Sequence, residues 1–260
     1  MIRTLFIIAG AALVLCMVTL GGAIALGGHD LQRHGWAWTI KDRDGESIRF
    51  ERIKGGGTDD LGPFTTRTLA WTGGEALTVE SSINVEYVQG PANTVVVTGP
   101  KGLTDRVTLT DGRLSLGDGD ERIVWGWDSG NFSARSERDE LRVVVTAPNV
   151  RRFASNGSGD LDITAYDQPS MALSISGSAD VTASGRTDAL DLDIAGSGDA
   201  DLRALDAKDA RIDIAGSGDA DIAPTGDVQV NIAGSGDVSL ATRPAKLTSE
   251  IAGSGDVYQD

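Results

Sequence analysis

Ala195-Gly196-Ser197-Gly198-Asp199 is one of six copies of a short phrase that fill roughly the last hundred residues of this 260-residue chain. The others are Asn156-Gly157-Ser158-Gly159-Asp160, Ser176-Gly177-Ser178-Ala179-Asp180, and the runs Ala215 to Asp219, Ala233 to Asp237 and Ala252 to Asp256. Their first glycines stand at 157, 177, 196, 216, 234 and 253, so the period is 18 to 20 residues. Near-periodic self-similarity of this kind marks a stacked solenoid. Before each corner the residues alternate, as in Leu192-x-Ile194, Ile212-x-Ile214 and Val230-x-Ile232. After it they alternate again, as in Leu161-x-Ile163, Ala200-x-Leu202 and Val238-x-Leu240, with Asp193, Asp213 or Asp201 at the polar positions between. Period two means strands with one dry and one wet face. Glycine between two strands supplies the corner. The period is too short for a helical repeat, and it suits one coil of a parallel β-helix with coils about 4.8 Å apart.

The remaining segments fit around that stack. Arg3 precedes an uncharged run from Thr4 to Gly28, longer than the ~18–20 residues that span a bilayer. Residues 1–28 are therefore read as one hydrophobic helix: a retained transmembrane anchor, or a signal peptide cleaved near Ala23-Ile24-Ala25. Both readings export the remainder to the cell envelope, outside the inner membrane. The one cysteine, Cys16, lies inside this run, so no disulfide is expected beyond it. Residues 29–64, rich in charge and glycine, read as a spacer, with Trp36 and Trp38 as candidate interfacial aromatics. Residues 65–150 read as non-repeating cap strands, including a hairpin at Asp111-Gly112, and 151–260 as the six repeats. Trp125-Gly126-Trp127 is placed in a loop, as packing or as a ligand platform. The expected fold is all-β: a right-handed parallel β-helix with a β-rich N-terminal cap, preceded by one hydrophobic helix.

The net charge is −15, with 38 acidic against 23 basic residues, and Arg3 is the only charged residue before His29. So acidic an exported part excludes nucleic acid and anionic lipid as expected partners.

The recurrent Ile-Ala-Gly-Ser-Gly-Asp, together with Val143-Val144-Val145-Thr146-Ala147-Pro148 ahead of the first corner, resembles the bacterial GIN-domain family over roughly Thr65 to Asp260. That family is described as autotransporter-adhesin head domains. The resemblance implies an export signal followed by a right-handed β-helix on the cell surface or in the envelope, without established catalytic residues. No stretch for a membrane β-barrel follows Asp260, so display is expected to depend on the N-terminal segment or a separate partner.

Little in the chain suggests a reaction. Its two histidines, His29 and His34, both fall in the spacer, which argues against a Ser-His-Asp hydrolase or a histidine-ligated zinc site in the repeats. A polysaccharide-active site would break the repeat locally with a cluster of Asp and Lys or Arg, and no such break is visible. The sharpest feature is acidic. Asp160, Asp180, Asp199, Asp219, Asp237 and Asp256 should stack in one line, flanked by Asp162, Asp201 and Asp221. Carboxylates ~4.8 Å apart repel by about 0.9 kcal/mol even in water. Two explanations stand: each Asp accepts backbone N–H groups of its own corner, or calcium bridges successive coils, with Asp160, Asp199, Asp219, Asp237 and Asp256 as the ladder. The corner differs from the calcium-binding nonapeptide, whose Asp position holds Ala200. The expected function is a non-enzymatic, adhesin-like module that offers a β-helical surface to glycans or envelope proteins. The alternatives are a calcium-dependent spacer and, behind it, a polysaccharide-active enzyme.

Overall fold

The computed structural model describes residues 38–41, 47–52, 63–128 and 131–259, which fall into two compact units. The hydrophobic segment 1–28 lies outside the described residues, as do His29, His34 and Trp36. Among the described residues no helix is long and apolar enough to cross a membrane.

The smaller unit is a four-stranded sheet. Its strands are β1 (Trp38–Lys41), β2 (Ser47–Arg52), β9 (Glu121–Asp128) and β10 (Asn131–Ser136), in the order β1-β2-β9-β10. Two expectations are corrected here. The stretch read as spacer contributes two strands, and Trp125-Gly126-Trp127 lies in β9 and not in a loop. Ile48-x-Phe50 does alternate, but β2 is short and its polar positions are charged, and in β9 the apolar run Ile123-Val124-Trp125 shows no alternation, so neither declares itself a strand alone. They become a sheet because β2 pairs in parallel with β9, more than sixty residues away.

The larger unit is the solenoid, of about five turns. Strands before and after each corner form two stacks. The pre-corner stack holds β4 (Ala76–Val79), β12 (Arg152–Ser155), the second halves of β13 (Leu161–Gly177), β14 (Val181–Gly196) and β15 (Ala200–Gly216), then β17 (Asp227–Gly234) and β19 (Lys246–Gly253). The post-corner stack holds β5 (Asn84–Gln89), the first parts of β13, β14 and β15, then β16 (Ala220–Pro224), β18 (Val238–Leu240) and β20 (Val257–Gln259). All these pairings are parallel. The inward positions named from the alternation are buried, with Leu192, Ile212, Val230, Leu202, Ile222 and Leu240 each at 0% exposure.

The cap closes one end with antiparallel pairing. β3 (Phe64–Ala70), β6 (Thr94–Pro100) and β11 (Arg142–Ala147) extend the post-corner stack in the order β3-β6-β11-β5. The hairpin of β7 (Val107–Thr110) and β8 (Arg113–Leu116) extends the pre-corner stack below β4. Asp111 and Gly112 at its tip have φ of 48° and 80°, the double left-handed turn that an Asp-Gly pair favours. The bulkiest buried side chains sit near the cap, where the Phe153 ring meets Tyr87 at 5.0 Å and Tyr166 at 5.9 Å, both edge-on. The two phenols donate to the Ala147 and Ser170 carbonyl oxygens, at 2.8 and 2.6 Å, so neither buried hydroxyl is left without a partner. Burial pushes the Tyr87 pKa up to about 12.

The stack holds a corner that is hidden in the sequence. Val79 pairs with Ser155 and Val85 with Leu161, so Ser81-Ser82-Ile83-Asn84 lies directly beneath Gly157-Ser158-Gly159-Asp160. The first coil is thus β4 and β5, and the chain makes a long excursion into cap strands before it resumes the coil at β12.

Candidate functional site

The corner shows how the acidic column is tolerated. The first glycines of successive corners, Gly177, Gly196, Gly216, Gly234 and Gly253, have φ between 129° and 151°. A Cβ on Gly216 would strike the carbonyl oxygen of Gly196, and the same collision recurs at Gly234 and Gly253. Only glycine fits there. The tight crossing sets each Asp over the one below. The Asp219 N–H donates to Asp199 Oδ1 at 2.8 Å, Asp237 N–H to Asp219 Oδ1 at 2.7 Å, and Asp256 N–H to Asp237 Oδ1 at 2.8 Å. The explanation through the Asp's own corner is corrected for these rungs: the donor belongs to the next coil. In return, the residue after each Asp donates its N–H to the carbonyl oxygen of the Asp above, as Ala200 does to Asp219 and Ala220 to Asp237, both at 2.9 Å. A carboxylate that accepts a backbone N–H gains a charge-assisted bond, which offsets repulsion along the column.

The lowest rung is an amide. Asn84 Oδ1 accepts the Asp160 N–H at 3.1 Å, so Asn84 of the hidden corner begins the column without adding a charge. Partial burial raises the Asp160 pKa, and Asp180 and Asp162 push it the same way. The flanking line is not a run of bare acids. Thr182 separates Asp162 from Asp201 in register and donates to Asp162 Oδ1 at 2.6 Å. Arg203 binds Asp201 through Nε at 2.9 Å and Nη2 at 2.5 Å, which holds the Asp201 pKa below its ordinary value, and it reaches Asp221 at 3.8 Å. Among the described residues no group of three or more His, Cys, Asp or Glu side chains is arranged to hold a metal ion.

The outward side of the pre-corner stack, the wet face of the alternation, carries a second feature. Asp193, Asp213, Asn231 and Glu250 follow one another in register, beside Ala195, Ala215, Ala233 and Ala252. These two columns line a trough of 410 Å³. A second trough of 640 Å³ is lined by Asp191, Arg211, Gln229 and Thr248 together with Asp209, Asp227 and Lys246. Arg211 stands between the troughs, 2.7 Å from Asp213 and 4.0 Å from Asp191. Asn231 Nδ2 donates to Asp213 Oδ1 at 2.6 Å. Desolvation raises the Asp193 pKa, assisted by Asp191 and Asp213. This arrangement offers carboxylate, amide and guanidinium groups at a fixed interval beside a flat apolar strip. It holds no nucleophile–base pair. The signal for it was the alternation itself, read for what its polar positions share.

The family model described as "Putative auto-transporter adhesin, head GIN domain" matches residues 75–244, from the edge of β4 to the turn before β19. The chain belongs to the head GIN-domain family. The solved structures that resemble this GIN-domain chain include a putative adhesin from Bacteroides fragilis, with 16% identity and a TM-score of 0.55, covering 76% of this chain and 97% of that one. A putative adhesin from Parabacteroides distasonis, 18% identical, covers 81% of this chain and 100% of its own length at a TM-score of 0.48. A putative lipid-binding protein from the same species, 19% identical, gives 0.46 at the same two coverages. At these identities the Bacteroides fragilis likeness establishes the GIN fold alone. No curated protein matches the chain in sequence.

Proposed function

We propose that this GIN-domain chain is a non-enzymatic, adhesin-like interaction module of the cell envelope, and that the outward pre-corner face is its binding surface for surface glycans or envelope proteins. The observation that carries the reading is the pair of adjoining troughs, in which similar polar side chains recur coil after coil beside an alanine strip. Polar groups orient a ligand and the apolar strip accepts its carbon face, the usual division of labour in a binding site. A repeated surface suits a repeated ligand, and many weak contacts add. In this reading the coil is right-handed, the sense general to parallel crossover connections. The hydrophobic N-terminal segment exports the protein and ties it to the membrane.

The Asp column is assigned a structural role in the same proposal. Its Oδ1 atoms at Asp199, Asp219 and Asp237 already accept backbone donors, so cation bridging would compete with bonds the fold uses. A glycan array and a cell-binding screen with the full chain, run with calcium and with chelator, test the assignment. Binding should survive chelation and fall at least tenfold in Asp213→Ala/Asn231→Ala. Binding that disappears in chelator, or that ignores every trough substitution, would refute it.

A further inference from the structure

We infer that β19 is the docking edge for a second copy of this chain, the two solenoids joining tail to tail through an antiparallel pair of β19 strands. All eight residues of β19 are exposed. Among the described residues it pairs only with β17, so its outer edge presents unpaired backbone donors and acceptors. The edge is also apolar where it matters. Leu247 and Ile251 occupy the inward column that buries Val228 and Ile232 one coil below, yet they stand 39% and 40% exposed.

Natural sheets usually blunt such an edge with proline, a bulge, an inward charge or charged side chains along the strand. β19 uses only the last, through Lys246 and Glu250 on its outward side. It contains no proline, its eight pairs with β17 run without a register shift, and its inward residues Leu247, Ser249 and Ile251 carry no charge.

The edge is complementary to itself in one register. A two-fold axis makes each contact occur twice, and inward residues must meet inward residues. Centring the axis on Ser249 sets Leu247 opposite the partner's Ile251, and Ile251 opposite the partner's Leu247. On the outward side, Lys246 then lies diagonal to the partner's Glu250, within reach for an opposite-charge pair. Centring on Glu250 would set two like charges face to face, and centring on Thr248 would set Leu247 against a serine. An edge of eight residues at ~3.3 Å each, with sheets ~10 Å apart, has a footprint of about 260 Å² per copy, or about 530 Å² in total, the size of a weak, transient contact. The dimer is therefore reversible. Within the solenoid unit β3 lies at the opposite edge of the sheet from β19, so the pairing leaves the two β3 edges at the far ends of the joined stack.

The test uses the full chain in detergent with Cys16→Ser, so that an introduced thiol is the only one. Ser249→Cys, on the axis, should give a majority of cross-linked dimer with a short bifunctional thiol reagent. Ser197→Cys, on an exposed corner in mid-stack, should stay monomeric. Adding Ile251→Lys should cut the Ser249→Cys cross-link at least fivefold while the circular dichroism spectrum stays unchanged. Sedimentation of the chain without cysteine should show the dimer fraction fall on tenfold dilution. A Ser249→Cys chain that stays monomeric, or that cross-links no better than Ser197→Cys, overturns the inference. So does a monomer in which the alternate β19 amides that point away from β17 also resist hydrogen exchange, which would assign the edge to another segment of the same chain. Neither failure touches glycan binding by the troughs, which is read in a separate screen.

Discussion

At the cap end of the solenoid, Leu77 and Phe153 lie in the inward column at 0% and 2% exposure, with β7, β8 and β11 closing both stacks beyond them. At the other end that column finishes in Ser249, and the flanking inward residues of the same face, Leu247 and Ile251, are each more than a third exposed. A stacked repeat draws its stability from each coil's contact with its neighbours. Residues of one type should therefore differ in worth according to how many coils enclose them. Position in the stack, more than identity in the repeat, sets the cost of a substitution.

The largest contrast is expected inside the core. Phe153→Ala should cost about 3–5 kcal/mol and Ile212→Ala about 2–5 kcal/mol, as large-to-small changes in a closed core do. At dilutions where the chain is monomeric, Ile251→Ala should cost less than about 1 kcal/mol, because its site is then open to water. Chemical denaturation of the three variants checks the order. Equal losses at Ile212 and Ile251 would mean that the terminal coil is covered in solution.

The corner glycines give a second contrast. Gly216→Ala forces a Cβ against the Gly196 carbonyl oxygen and should lower the melting midpoint by several degrees. Gly253→Ala meets the same obstacle in the last corner, where the coil can shift outward, and should lower it by less. Calorimetry on both variants decides, and the reverse order would break the comparison.

The Asp column predicts a gradient of its own. Asp219 accepts the N–H of Asp237, whereas no backbone donor to Asp256 is found among the described residues. Asp219→Ala should therefore cost about 1.5–3 kcal/mol, the range for a hydrogen bond to a charged group, and Asp256→Ala close to nothing. Denaturant midpoints measured with and without calcium would also expose a cation, since loss of a bridging ion would make the cost depend on calcium.

The smallest effect concerns pH. The folded-state pKa of Asp193 is raised, so the folded chain binds its proton more tightly than the unfolded chain does. The stability this contributes is fully present below the unfolded pKa and is lost as pH rises through the folded value. Asp193→Asn should accordingly raise the melting midpoint slightly at pH 7 and leave it unchanged near pH 3. A drop at pH 7 would mean that Arg211 outweighs the neighbouring acids.

What could be read in advance follows from the same physics. The repeating part was legible because every corner faces one steric demand, and glycine and Asp return to meet it. The first corner was not, because Ser81-Ser82-Ile83-Asn84 has neither glycine nor the Asp, and keeps from the phrase only Ser82 between the apolar Val79 and Val85. The acidic line was visible, but its donors were not, since a hydrogen bond from the next coil is a property of the stack and of no single repeat. The small sheet escaped for a related reason: β2 and β9 each present a few apolar residues among charges, and their relation exists only in space. The polar troughs were in view as alternation. Asp213 and Asn231 acquire meaning only when the coils are aligned.

The reciprocal bond at the corner also bears on how such a chain changes length. Each rung offers one carboxylate upward and takes one amide donor from above, so every joint in the run Asp199, Asp219 and Asp237 is chemically alike. Excising residues 197–216 would bring Gly196 to Ser217 and restore Gly-Ser-Gly-Asp without altering a letter of the phrase. Whole coils are thus interchangeable units. A gene encoding them can lengthen or shorten the rod in steps of about 4.8 Å by recombination between its own copies. The corner acts as the recurring joint of an adjustable ruler, while the returns between corners differ in sequence from coil to coil.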